Sequence, residues 1–115
     1  MLHCITLGHI VIDEQNRVQV TRPIDKQAVL AVVQEMGRVD EEGSAWIGGY
    51  RLRFHNGRVD CPWLMPGRVP EAQEFARRVC ERTGCTIWNI DKREQLTVEQ
   101  VGLPFSRPPA AGDAG

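Results

Sequence analysis

The stretch that most constrains this chain runs from Tyr50 to Trp63 and reads YRLRFHNGRVDCPW. Its Asn56-Gly57 pair is the strongest short-range hairpin signal, because both central residues of a type I′ turn take positive φ. A two-residue loop sets the register: His55 faces Arg58, Phe54 faces Val59, Arg53 faces Asp60 and Leu52 faces Cys61. Successive side chains of a strand point to opposite faces. One face therefore carries Tyr50, Leu52, Phe54, Val59 and Cys61, and reads as core. The other carries Arg51, Arg53, His55, Arg58 and Asp60. His55 and Cys61 fall on opposite sides of the sheet, so they cannot readily share a metal or act as a thiol–imidazole pair.

The strands and helices around this hairpin follow from periodicity. Residues 2–12 are apolar on both faces, with Ile5, Leu7 and Val11 on one and Leu2, Cys4, Ile10 and Ile12 on the other. A strand buried on both sides belongs in the middle of its sheet. The turn cluster Asp13-Glu14-Gln15-Asn16 leads to a half-exposed strand around Val18 and Val20, so the first two strands read as a hairpin. Asp25 can cap a helix that runs to about Met36, and Gly37 sits where a C′ glycine belongs. The middle of that helix, Ala28 to Val33, is apolar almost all round and calls for cover on more than one side. Arg38 to Gly43 reads as an acidic loop and Ala45 to Ile47 as a short strand. Gly48-Gly49 is either a tight turn or a bulge.

After the hairpin, Pro62-Trp63-Leu64-Met65-Pro66-Gly67-Arg68-Val69 is apolar where connections are normally polar. Pro70 fits N1 of a helix, and Glu71 and Glu74 suit the positive end of its dipole. Ala72, Phe75, Ala76, Val79, Cys80 and Thr83 recur at helical spacing, and Gly84 stops the helix. Cys85 to Ile90 reads as a strand. Thr97-Val98-Glu99-Gln100 matches a capping box opening a short helix. The order β-β-α-β-β-β-α-β, with a short C-terminal helix, predicts an α+β fold. It is expected to be a mixed, mostly antiparallel sheet of five to six strands with two main helices on one face. Residues 1–103 form the expected single domain and 104–115 a flexible tail.

Composition narrows the function classes. With 42% hydrophobic and 25% charged residues, the chain has the make-up of a soluble globular domain. It holds no apolar run of membrane-spanning length. The first residues read as a strand, not a signal peptide, which predicts a cytoplasmic setting and reduced thiols. A net charge of −1 gives no global attraction to nucleic acid. Twelve of the fourteen basic residues are arginine, only Lys26 and Lys92 being lysine. Arginine suits bidentate recognition of phosphate or carboxylate. The abundance of Arg, Ala, Gly, Pro and Val together also matches a GC-rich coding bias.

No catalytic or metal-binding pattern is assembled. Cys80 and Cys85 lack the short knuckle spacing of a zinc ribbon, and no second close pair accompanies them. His3 and His9 lie about 20 Å apart along one strand. Cys61 and Cys80 belong to apolar faces, Cys4 to a buried strand, and Cys85 follows a helix C-terminus whose negative end raises a thiol pKa. Neither G-x-S-x-G nor H-E-x-x-H occurs. Gly48-Gly49 leads into a strand, so no helix dipole is offered to a phosphate. No metal or cofactor is therefore expected.

These readings point first to a small non-enzymatic interaction protein, a homodimer. It would contact a partner protein or a small apolar ligand near Trp63, Leu64 and Met65. The same loop also reads as a lid folded back on the core. The alternative is a small-molecule-binding enzyme or sensor, with Arg51, Arg53 and His55 holding an anionic group in a pocket between sheet and helices. Nucleic-acid binding through the basic hairpin face ranks below both. There Asp60 dilutes the positive field and is expected to pair with Arg53 across the strands.

Overall fold

The computed structural model describes residues 4–47, 50–62 and 69–101. The chain is α+β: nine strands, two α-helices and a 3-10 turn lie in these residues. The strands are β1 (Cys4–Ile12), β2 (Val18–Arg22), β3 (Arg38–Val39), β4 (Ala45–Ile47), β5 (Tyr50–Arg51), β6 (Arg53–His55), β7 (Arg58–Pro62), β8 (Thr86–Asn89) and β9 (Glu94–Leu96). The helices are α1 (Lys26–Met36), between β2 and β3, and α2 (Val69–Thr83), between β7 and β8. No helix among the described residues is long and apolar enough to cross a membrane.

β1 occupies the centre, as its two apolar faces require. The main sheet runs β6-β7-β1-β8-β9, with β2 pairing to the far half of β1. Every pair is antiparallel. Register brings Ile5 opposite Cys61 and Leu7 opposite both Val59 and Ile87. This face packs with Val29, Val32 and Val33 of α1 and with Ala72, Phe75, Ala76 and Val79 of α2 in a single core. Both helices therefore cover one side of the sheet. The other side carries Thr6, Asp60 and Trp88, neighbours in register across β7-β1-β8.

The hairpin forms as its turn residues dictate. Asn56 and Gly57 both take positive φ, 51° and 78°, and the pairs are Arg53–Asp60, Phe54–Val59 and His55–Arg58. The expected fourth pair, Leu52 with Cys61, is absent from the ladder. Leu52 instead donates its N–H to the carbonyl of Ala45 at 2.9 Å. The strand changes sheets at this residue, because β5 pairs with β4, and β4 with β3, in a separate three-stranded sheet. Arg38 and Val39, expected in a loop, form the outer strand of that sheet. β9 carries no sequence signal, since Glu94–Leu96 is too short and polar to show alternation. Gly48 and Gly49, whose conformation the sequence left open, lie outside the described residues, as do Trp63, Leu64 and Met65.

Helix α1 begins and ends where its caps predict. The Asp25 side chain accepts from the N–H of Ala28 at 3.2 Å. Gly37 closes the helix through its N–H to the carbonyl of Val33 at 2.6 Å. Its φ is −148°, however, so a left-handed C′ conformation is not the reason for glycine. A Cβ there would lie 2.1 Å from the carbonyl oxygen of Trp46. Glycine is required because β4 crosses the end of α1 at backbone contact distance. The almost fully apolar appearance of α1 also resolves in three dimensions. Val29, Val32 and Val33 are buried, Leu30 is half-buried, and the solvent side is Gln27, Ala31, Gln34 and Glu35.

Candidate functional site

A cleft of about 520 Å³ opens at the edge of the main sheet, between β6, the start of α1 and the chain leading into β4. Its lining includes Lys26, Glu42, Arg51, Arg53, Phe54 and His55. The three residues expected to hold an anionic group, Arg51, Arg53 and His55, are thus brought to one cavity. Its size falls within the range of ordinary small-ligand sites.

Each wall has a local cause. Arg51 is the last residue of β5 and Arg53 the first of β6, so the sheet switch at Leu52 sets both arginines beside the same opening. Lys26 is the first residue of α1, and its ammonium sits 4.9 Å from the centre of the Phe54 ring. That cation–π contact holds the charge against the cleft wall. The opposite wall is shaped by Asp40. One carboxylate oxygen accepts from the N–H groups of Glu42 and Ser44, at 3.0 and 2.8 Å. The other accepts from the indole of Trp46 at 3.0 Å. The Trp46 indole and then the Ser44 amide hold this carboxyl below the usual aspartate range. The acidic segment is therefore a built turn, and Asp40 is its staple.

His55 is anchored from behind. Its Nε2 lies 2.5 Å from a carboxylate oxygen of Asp60, whose other oxygen accepts the Thr6 hydroxyl at 2.7 Å. The expected Arg53–Asp60 ion pair is replaced by this Thr6–Asp60–His55 chain. The two residues do face each other in register, but Thr6 on β1 reaches Asp60 from the sheet interior and His55 reaches it on the diagonal. Neither Arg51 nor Arg53 has a carboxylate partner among the described residues. On its other nitrogen, Nδ1, His55 meets the Asn56 amide at 3.4 Å. With Nε2 donating to Asp60 and Nδ1 facing an amide donor, the ring is positioned and both nitrogens are engaged. That arrangement suits orientation of a bound group better than proton transfer to it.

Arg58 faces His55 across the turn and borders a small hollow with Lys26 and His55. It lines a second cavity of about 250 Å³ with Thr6, Asp60, Asn89, Ile90 and Asp91, and its Nε is buried with no hydrogen-bond partner. Its Cβ lies 3.1 Å from the point a side chain on Gly8 would occupy.

Among the described residues, no group of three His, Cys, Asp or Glu side chains is placed to hold a metal. Lys26 and Thr6 are the site residues that sequence reasoning missed. Lys26 carries no local signal, since only tertiary packing sets the start of α1 against β6. Thr6 could be read only as a polar interruption of an otherwise apolar strand. Comparison adds no relative to this picture: no protein-family model, curated protein or solved structure matches the chain.

Proposed function

We propose that this protein is a small binding domain that takes an anionic small molecule, a carboxylate or phosphate, in the cleft beside β6. The observation that carries this reading is the convergence of Lys26, Arg51, Arg53 and His55 on one cavity, with both arginines lacking a carboxylate partner among the described residues. Among the described residues Glu42 is the one acidic side chain on the lining, so these residues make the cleft locally cationic in a chain whose net charge is −1. Guanidinium groups in such a place bind a planar or tetrahedral anion through charge-assisted, bidentate hydrogen bonds. His55, fixed by Asp60 and Asn56, would line the cleft as an oriented ring, leaving the arginines and Lys26 to hold the anion.

The sequence reading of Trp63, Leu64 and Met65 as a partner-binding loop stands beside this as a separate proposal, together with a homodimer in the cytoplasm. The loop leaves the same hairpin at the end of β7. The apolar face of α1 lends self-association less support once folded, because Val11 is the single large exposed apolar side chain among the described residues.

The test is an NMR titration of the whole chain with inorganic phosphate, pyrophosphate and succinate in turn. Saturating shifts of the Arg51, Arg53 and His55 amides are expected for at least one probe. An R51A/R53A variant should lose roughly tenfold in affinity per arginine while keeping its fold. The absence of saturating shifts at tens of millimolar of all three probes would sink the reading.

A further inference from the structure

The sequence places Cys80 on the apolar face of α2 and Cys85 just past the helix C-terminus, each read as packing. The structure places their sulfurs 3.7 Å apart. The cause is the helix stop. Gly84 closes α2 with its N–H on the carbonyl of Cys80 at 2.8 Å, and the Thr83 hydroxyl, bonded to the carbonyl of Val79, accepts the N–H of Cys85 at 3.2 Å. The reversal folds Cys85 back beneath the last turn of α2. Cys80 is half-buried and Cys85 nearly fully so.

We propose that Cys80 and Cys85 form a dithiol site that exchanges with low-molecular-weight disulfides and closes to an intramolecular disulfide. The geometry is favourable. A disulfide requires about 2.05 Å between sulfurs. The approach is absorbed at a turn with room to move, since a Cβ on Gly84 would meet nothing within 4 Å.

The charge arrangement supports it. A hydrogen bond from the Cys80 thiol pulls the Cys85 thiol below its ordinary value, while Cys85 and burial push Cys80 up. Cys85 thus lies below its ordinary value where the helix terminus alone is expected to raise it, because the hydrogen bonds from Cys80 and Thr83 outweigh its burial. The pair therefore behaves as one acid that loses a first proton readily and shares the second. The first negative charge rests on Cys85, which can take the Cys80 proton as the outer, half-buried Cys80 sulfur attacks.

The exchange balances. The Cys80 sulfur attacks one sulfur of a small disulfide such as glutathione disulfide while the Cys85 thiolate takes its proton, forming a mixed disulfide and releasing a thiolate that then recovers that proton from Cys85 as a free thiol. Cys85, as thiolate, then attacks the Cys80 sulfur and releases the second. The two thiols of the protein lose two electrons and two protons, and the small disulfide becomes two thiols.

The experiment uses the full chain equilibrated with glutathione disulfide, quenched with acid, alkylated and cut with trypsin. Cleavage after Arg78 and Arg82 yields residues 79–82 and 83–92, which stay together only if the two cysteines are bonded. The expected product is this joined pair, with the intact protein lighter by two hydrogens and carrying no glutathione. In C85S, one glutathione should remain on Cys80, and in C80S Cys85 should react at least tenfold more slowly. Recovery of the two peptides separately from the wild-type chain, or cross-linking to Cys4 or Cys61 instead, overturns the proposal.

Discussion

On α2, Arg77, Arg78 and Arg82 all end on carboxylates, whereas at the β5–β6 edge Arg51 and Arg53 have no carboxylate partner among the described residues. Arg77 holds Glu74 and Glu81, Arg78 bridges Glu74 to Glu35, and Arg82 also reaches Glu35. Glu35 lies on α1, so this network ties the two helices together across the outside of the core. In sequence the two groups look alike, as arginines on the polar face of an amphipathic element. What separates them is the charge of their neighbours. Arg77 and Arg78 sit beside glutamates at helical spacing, which makes part of their pairing local, while Arg78 and Arg82 find Glu35 where α1 packs alongside. The edge arginines lie where their one cross-strand acid, Asp60, has already been taken by Thr6 and His55. The count of arginines in a chain therefore does not say which of them are left for a ligand; their neighbours do.

The largest expected effect strikes the frame that both regions share. G37A would drive a methyl group into the carbonyl of Trp46, separating α1 from β4. We expect a loss of about 3 kcal/mol in chemical unfolding, with the cleft and the helix network disturbed together. A near-neutral G37A would show that the contact between α1 and β4 is loose, and that the cleft wall is not set by it.

Asp60 is next. D60A leaves the buried Thr6 hydroxyl and the His55 ring without their shared acceptor, at a cost of about 2 kcal/mol. The comparison also predicts a second consequence. If Asp60 keeps the edge cations free by occupying His55 rather than Arg53, its removal should leave the R51A/R53A effect on anion binding intact. Loss of all binding in D60A, with the fold retained, would instead place Asp60 in direct control of the site.

The smallest effect concerns the helix network and its pH dependence. Arg77 and then Arg78 hold the Glu74 carboxyl down at about 2, below its ordinary 4.5. A carboxylate depressed in the folded state stabilises it above the unfolded value, and that contribution is lost as the pH falls through the folded one. Stability should therefore decline between pH 4.5 and about 2, and R78A should flatten that decline. Because these groups are exposed, high salt should weaken the same effect. Unfolding midpoints for wild type and R78A across this range, at low and high salt, check it. A decline unchanged by R78A would assign the acid sensitivity to other groups, such as Asp13 or Asp40.

Much of the architecture was legible because it is local. The type I′ turn at Asn56-Gly57, the cap at Asp25, the helical spacing on α2 and the stop at Gly84 each depend on residues a few positions apart. The sequence alone therefore determined the fold class, the two helices, the central place of β1 and the division of the hairpin into a core face and a polar face. It also nominated Arg51, Arg53 and His55. Contacts between distant residues were decided by the tertiary structure: the sheet switch at Leu52, the capture of Asp60 by Thr6, the arrival of Lys26 at the cleft and the approach of Cys85 to Cys80. The physical reason is range. Turn, cap and period are set by backbone sterics and neighbouring side chains, while the partner a charge or thiol finds depends on how elements far apart in sequence pack against one core.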